Sequence, residues 1–413
     1  MTSTRQTRRA GVRRQTLFYT VALGLGSLVT GVLFVFAARS MPPGTFGLVS
    51  TSIGIATVLA GVIDFGTNSL WVRELSDSHT SVGVVARQMR GKAVVAAATA
   101  GALAAVLGTW LTPACAVVGL YLLALVVAQM SVVPLRARVM PARVVSCTVA
   151  DRSVAASTML ALSWFDVEPA LRLPVALSLG SFAGAALAMW RLEGRSEFIS
   201  CKSVAMPWGG AAFFGLSSLV LAVQNLDQAV VLKVAGASAA ADVGAVSRWM
   251  SPIGLIGTAL ANTAGPLAAR APDVRSAWST MKPTRPYVLL AICVGAVSSL
   301  LSPWLVPAVL GTAYAGSIPV FQILAISATI TVLSQPVVTI LQFRGYDRTV
   351  CWVVWSGVML QFTVLFSVVS TMGAIGCAIA SLTCQVFILA ALVWATCIKV
   401  ARESKTSVAT AGR

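Results

Sequence analysis

An all-α integral membrane protein of about twelve transmembrane helices is the fold that this sequence predicts. Three observations carry the expectation. Of 413 residues, 57% are hydrophobic and only 10% are charged, whereas a soluble domain carries about 25% charged residues. The mean hydropathy is +0.86, so the chain cannot cover an aqueous surface. Its apolar stretches run to about 20 residues, the length a helix needs to cross a hydrocarbon core about 30 Å thick. The alternation of apolar and polar positions that marks a membrane β-barrel is not the pattern.

The segments follow in order. Residues 1–16, MTSTRQTRRAGVRRQT, form a basic N-terminal arm expected in the cytoplasm, against anionic lipid. The run from Leu17 to Ala38 is too long for the apolar part of a signal peptide and lacks an Ala-x-Ala-like cleavage site, so it reads as a retained first span, 17–38. Arg39 and the loop SMPPGT lead to span 48–70. Arg73, Arg87, Arg90 and Lys92 fill the next connection, ahead of spans 93–112 and 114–134. Arg136, Arg138 and Arg143 precede span 144–163, and the loop from Trp164 to Leu173 leads to span 174–191. A linker, 192–207, carries Arg195 and Lys202 beyond Arg191. Spans 208–233 and 243–266 follow, with Lys233 between them. Arg270, Arg275, Lys282 and Arg285 precede spans 287–308 and 318–341, and Arg344 and Arg348 precede spans 350–369 and 374–398. A basic tail, 399–413, ends the sequence.

A net charge of +17 and an isoelectric point near 10.4 would suit a nucleic-acid partner. The placement of the charge points elsewhere. Only Arg39, Arg172 and Lys233 fall on the outward side, and Arg152 and Arg248 fall within spans; the remainder of the 30 basic residues lie in alternate connections. That is the positive-inside pattern, and it puts both termini in the cytoplasm with no nucleic-acid partner expected. The single histidine, His79, removes zinc sites and Ser-His-Asp chemistry. Eight cysteines show no Cys-x-x-Cys and there is no phosphate-binding Gly-Lys-Ser/Thr loop. No cofactor, metal or catalytic residue is expected. Asp166 and Glu168 share the longest outward loop without a partner constellation and read as a solvated loop, which speaks against a membrane enzyme of glycan assembly.

One short pattern occurs twice. FGLVS at 46–50 joins spans one and two, and VGAVS at 243–247 joins spans seven and eight, aligning Gly47 with Gly244, Val49 with Val246 and Ser50 with Ser247. An offset of six spans preserves orientation. The expectation is therefore two parallel-repeat six-helix lobes, 17–191 and 208–398, around a central cavity, a transporter architecture. Gly47 and Gly244 are expected to permit a tight turn beside a close neighbour where each cavity-lining helix begins.

The stretch from Phe34 to Ser76 resembles the opening of the polysaccharide exporters, Wzx-like flippases within the multidrug/oligosaccharidyl-lipid/polysaccharide (MOP) exporter superfamily. The resemblance rests on Ala38-Arg39, Pro42-Pro43-Gly44, Phe46-Gly47, Asp64-Phe65-Gly66 and Arg73-Glu74. In the second half it rests on Asn225-Leu226-Asp227, Val243 to Ser247, Pro266, and a hairpin ending in Gly345 and Arg348. It implies a flippase that carries polyprenyl-phosphate or -pyrophosphate oligosaccharides across the bacterial cytoplasmic membrane, in cell-envelope polysaccharide biosynthesis. Lipid-linked oligosaccharide, membrane lipid and H+ or Na+ are its implied partners, with glycan-assembly enzymes nearby. A multidrug or metabolite antiporter of the same superfamily is the alternative, and a membrane enzyme of glycan assembly a third.

Charges within spans normally face a cavity or a partner, because a charge at the bilayer centre costs about 2.5–3.5 kcal/mol. Arg248 leads as a ligand for lipid phosphate, with Arg39 and Arg152 behind it, since an arginine fork binds phosphate oxygens two at a time. Each also has a plain alternative: an ion pair for Arg248, an interfacial anchor for Arg39, and Asp151 as a local counterion for Arg152. Asp64 and Asp227 are ion-coupling candidates or else helix-to-helix hydrogen-bonding partners. Asn68, Gln224, Asn225 and Asn262 could meet sugar hydroxyls or simply join helices. Trp71, Trp304 and Tyr287 read as interface anchors, and Gly180 and Gly184 as an intramolecular helix-packing pair.

Overall fold

Proline and left-handed backbone, rather than side-chain caps, set where these helices begin and end. The computed structural model describes residues 24–76, 82–138, 140–193, 198, 203–209, 212–269, 276, 278, 285–343 and 346–411. Helix α1 (Gly24–Ser40) is followed by α2 (Pro43–Asp64), which opens on a proline whose missing N–H is unneeded in the first turn. Phe65 (φ 39°, ψ 41°) and Gly66 (φ 69°) close α2 in left-handed conformations and turn the chain into α3 (Thr67–Ser76) and then α4 (Val82–Trp110). Prolines likewise open α5 (Pro113–Ala137), α6 (Pro141–Trp164) and α7 (Pro169–Trp190). Beyond them come α8 (Ala212–Gln224), α9 (Asp227–Ala269), α10 (Arg285–Leu310), a 3-10 turn (Thr312–Ser317), α11 (Ile318–Phe343) and α12 (Asp347–Ala411). Gly236 (φ 90°, ψ 175°) breaks α9 and Gly373 (φ 53°, ψ −124°) breaks α12, at backbone angles open to glycine because it has no Cβ.

Each expected span overlaps a helix or a kinked pair of helices, and no strand occurs among the described residues. Among the described residues, eight helical stretches, two of which contain the glycine breaks, are long and apolar enough to cross a membrane. The molecule is an all-α multi-pass membrane protein. Expected span 48–70 is kinked at Phe65–Gly66, and span 208–233 at Asn225–Leu226. The third span starts at Val82 rather than 93, so Arg87, Arg90 and Lys92 sit in a helix and not in a loop. The N-terminal arm 1–16 lies outside the described residues.

The chain divides into two compact units, residues 1–245 and 246–413. In the first, α6 packs along α7, α7 against α5, α5 against α4 and α2, and α2 against α8. Small residues set the spacing, as they must where lipid is as apolar as the side chains and contact depends on close approach. A Cβ at Gly180 would lie 2.5 Å from the Asp151 carbonyl oxygen and one at Gly184 would lie 3.1 Å from that of Cys147, so this pair seats α6 on α7 as expected. In the second unit, α10 packs on α11, and α11 packs on α12 around Val337, Leu341, Val350, Cys384, Ile388 and Leu392. Trp110, Trp164 and Trp190 stand exposed at helix ends, where indoles settle at the membrane surface. Trp304 is likewise exposed. Trp71 is the exception: it is wholly buried beside Val85, Met89 and Val133, not an interface anchor.

Candidate functional site

The kink after α2 places a carboxylate where a helix would otherwise run on. Asp64 ends α2, and Thr67 and Asn68 begin α3 directly beneath it. The Thr67 hydroxyl donates to the Asp64 carbonyl oxygen at 2.7 Å, and the Asn68 N–H reaches the carboxylate at 3.3 Å. Into this cup α4 projects Lys92. Its ammonium donates to Asp64 Oδ1, to Thr67 Oγ1 at 3.0 Å and to Asn68 Oδ1 at 3.0 Å, and it lies 5.0 Å from the Trp71 ring centroid. All three ammonium donors are used, and the ring face adds cation–π attraction. Trp71 Nε1 donates in turn to Gln88 Oε1 at 2.8 Å, one turn before Lys92 on α4. Lys92 is completely buried, while Asp64 keeps 18% of its side chain exposed.

A strap from Ser203 to Gly209 crosses this network. Ala205 N–H donates to the Arg87 carbonyl at 3.1 Å, and Gly91 admits the Ala205 carbonyl so closely that a Cβ there would lie 1.9 Å from it. Trp208 Nε1 donates to the Ile63 carbonyl at 3.0 Å, satisfying an acceptor beside the kink. Phe65, swung out by its left-handed backbone, presses its ring on Gly215 of α8.

A second polar contact joins α2 to α9. Gln228 Nε2 donates to Ser50 Oγ at 2.8 Å and to the Ala240 carbonyl at 3.3 Å. A Cβ at Gly47 would lie 2.0 Å from the Ala237 carbonyl oxygen, and one at Gly244 would lie 2.5 Å from Ser50 Oγ. The recurring glycines therefore do serve close neighbours, but from inside helices rather than at tight turns. A third site is Asp151 and Arg152 on α6, with Arg152 Nη1 3.7 Å from Asp151 Oδ1. Asp151 Oδ1 and Arg152 Nε are both buried without a hydrogen-bond partner.

The remaining candidates are dispersed. Arg39 is exposed at the end of α1, and Gln224 and Asn225 sit at the turn between α8 and α9. Asp227 opens α9, its carboxylate accepting the Gln228 N–H at 2.6 Å. Arg248 is half-buried in α9, in the second unit. The side chains of Asn262 and Tyr287 lie outside the described residues. Of the candidates, Asp64 and Asn68 are brought into one network, as are Asp151 and Arg152 into another.

Lys92, Gln88 and Gln228 are members that sequence reasoning passed over. For Lys92 a signal was present. Val85, Met89, Lys92, Ala96, Ala100, Leu103 and Leu107 recur at three- and four-residue steps, and all are buried. Among the described residues there is no group of three His, Cys, Asp or Glu side chains able to hold a metal.

The all-α membrane fold is similar to that of solved transporters of the MOP superfamily. At the level of sequence, no family profile and no curated protein matches the chain. Solved structures do. The lipid II flippase MurJ in an inward closed conformation is similar at a TM-score of 0.71, with 9% identity over 92% of this chain and 87% of that one. The eukaryotic MATE transporter AtDTX14 gives 0.66, with 13% identity over 94% of this chain and 95% of the other. A MOP superfamily transporter from Pyrococcus furiosus, whose binding pocket has reversed polarity, gives 0.62 with 13% identity over 92% and 94%.

Proposed function

We propose that this protein is a transporter of the bacterial cytoplasmic membrane that flips lipid-linked oligosaccharides, on polyprenyl phosphate or pyrophosphate, from the inner to the outer face by alternating access. The observation that carries the reading is the end-to-end likeness of fold to transporters, a lipid II flippase among them. The sequence resemblance around Arg39, Asp64 and Arg73-Glu74 supplies the cargo class. No covalent chemistry is involved, and both termini stay in the cytoplasm. Arg248 takes the lipid phosphate, with Arg39 and Arg152 as further cations. Arg152 suits this role because its Nε is buried without a partner. Asn68, Gln224, Asn225 and Asn262 meet sugar hydroxyls. Asp64 and Asp227 are the groups for H+ or Na+, although Asp64 then has to exchange Lys92 for the ion. A membrane potential favours outward movement of negative charge by about 2.3 kcal/mol per charge per 100 mV, so coupling to an ion is not obligatory.

The test is translocation of a fluorescent lipid-linked oligosaccharide in vesicles holding the purified chain. Arg248→Ala should abolish flipping while the protein still folds; full activity would remove Arg248 from the site. The second reading, a multidrug or metabolite antiporter, is favoured by the MATE likeness. Gradient-driven dye efflux from the same vesicles, without lipid translocation, would establish that reading instead. The named neighbours are transporters, which leaves the glycan-assembly enzyme without structural support.

A further inference from the structure

We infer that the α6–α7 end assigned to the cytoplasm carries a binding site for the phosphate of an anionic phospholipid head group. An opening of about 400 Å³ lies there, lined by Arg143, Trp190, Arg191, Leu192 and Glu193. That volume is within the range of small-ligand sites, about 300–1,000 Å³. Its guanidinium groups are held in place by the protein. Arg143 Nη1 donates to the Arg191 carbonyl at 2.9 Å and Nη2 to Glu193 Oε1 at 2.7 Å. Arg138 Nη1 donates to the Glu193 carbonyl at 2.8 Å, and Arg191 Nη1 to Ser146 Oγ at 2.6 Å.

Each guanidinium has about five N–H donors, so these bonds leave most of them for a ligand. Three cations, Arg138, Arg143 and Arg191, gather here around a single acid, Glu193, and its carboxylate is occupied in bracing Arg143. The local field therefore favours an anion, and paired N–H groups suit phosphate oxygens. The case for a lipid rather than a free phosphate comes from Trp190. It ends the apolar helix α7 and is 69% exposed beside the arginines, in the position where indoles lie at head-group level. The inner leaflet supplies anionic lipid at that depth. The inference does not rest on what the protein transports.

The test uses the full chain in phosphatidylcholine nanodiscs doped with phosphatidylglycerol that bears a quenching doxyl group near its head. The Trp190 signal is the difference between the wild-type chain and Trp190→Phe. Labelled phosphatidylglycerol should quench Trp190 at a lower lipid fraction than labelled phosphatidylcholine, by about fivefold for each arginine engaged. Unlabelled phosphatidylglycerol should reverse the quenching, and inorganic phosphate should not. Arg143→Gln with Arg191→Gln should abolish the preference, whereas Arg172→Gln, at the other end of α7, should leave it. Equal quenching by the two labelled lipids in the wild-type chain overturns the inference, a measurement that needs no arginine variant to fold. Displacement by inorganic phosphate overturns the assignment to a lipid.

Discussion

Removing one member of the Asp64–Lys92 pair should cost far more than removing both. Lys92 is wholly buried and spends its three donors on Asp64, Thr67 and Asn68. Asp64→Asn preserves shape but leaves the wholly buried ammonium among neutral acceptors. Breaking a buried ion pair from one side costs about 3–5 kcal/mol. Lys92→Met should cost less, about 2–3 kcal/mol, because Asp64 is 18% exposed and still accepts from Thr67 and the Asn68 N–H. The double variant leaves no unpaired charge, and apolar replacement of a buried pair is often close to neutral. It should therefore lie within about 1–2 kcal/mol of the wild type, giving a coupling of several kcal/mol. Unfolding in mixed detergent micelles, followed by circular dichroism, measures all four chains. Additive losses would refute the reasoning, since they would mean that the two charges do not compensate one another. The same double variant separates structure from transport. If it folds yet no longer responds to an ion gradient, Asp64 binds the coupling ion; if it transports normally, the pair is a brace.

Further outcomes follow from contacts elsewhere. Gly47→Ala forces a methyl into the Ala237 carbonyl and should lower stability by about 1–3 kcal/mol, whereas Gly44→Ala meets nothing within 4 Å and should be neutral; parallel melting curves compare them. Gln228→Leu should cost about 1–3 kcal/mol in the same assay, since Ser50 Oγ and the Ala240 carbonyl lose a buried donor. The hydrogen bond from Arg143 holds the Glu193 carboxyl below its ordinary value. A depressed carboxylate contributes stability above its unfolded pKa and loses it as the pH falls through the folded one. The Arg143–Glu193 contact, followed by carboxyl resonances, should therefore persist through the usual glutamate titration and break only at lower pH, and a normal Glu193 titration would contradict it.

The fold was legible because composition dictates it. With so few charges among 413 residues, only lengths and breaks remained to be read, and the rods fall where apolar runs predict. Helix boundaries depart from the apolar runs where charged residues lie within a helix. Arg87, Arg90 and Lys92 look like a cytoplasmic connection, yet they sit on α4, and Lys92 belongs to its buried stripe. Asp64 stood out as a lone acid in an apolar run. Its partner did not, because pairing across 28 positions is a tertiary fact that helical period only hints at. Trp71 misled for a related reason: a tryptophan near a span end ordinarily anchors at the interface, but this one is drawn inward by Gln88 and Lys92. Gly47 and Gly244 were visible as a recurrence, while their use, helix-to-helix approach, depends on what faces them.

These pairings bear on the transport proposed above. Lys92 balances Asp64 and Arg152 stands beside Asp151, so two cations of the first unit carry their own counterions. An isolated charge in hydrocarbon is costly, and a neighbouring opposite charge offsets that cost while the site is empty. A phosphate could engage Arg152 without first breaking a hydrogen bond, because its Nε has no partner to lose and its nearest carboxylate oxygen is 3.7 Å away. The Asp64 carboxylate differs, since every ammonium donor of Lys92 converges on its cup and the strap ties both walls through Ala205 and Trp208. An ion arriving at Asp64 must displace Lys92, and α4 cannot draw Lys92 away without disturbing the Ala205 contact to Arg87. On the transport reading proposed above, ion exchange at this carboxylate would be joined to the strap, whereas phosphate binding at Arg152 would not.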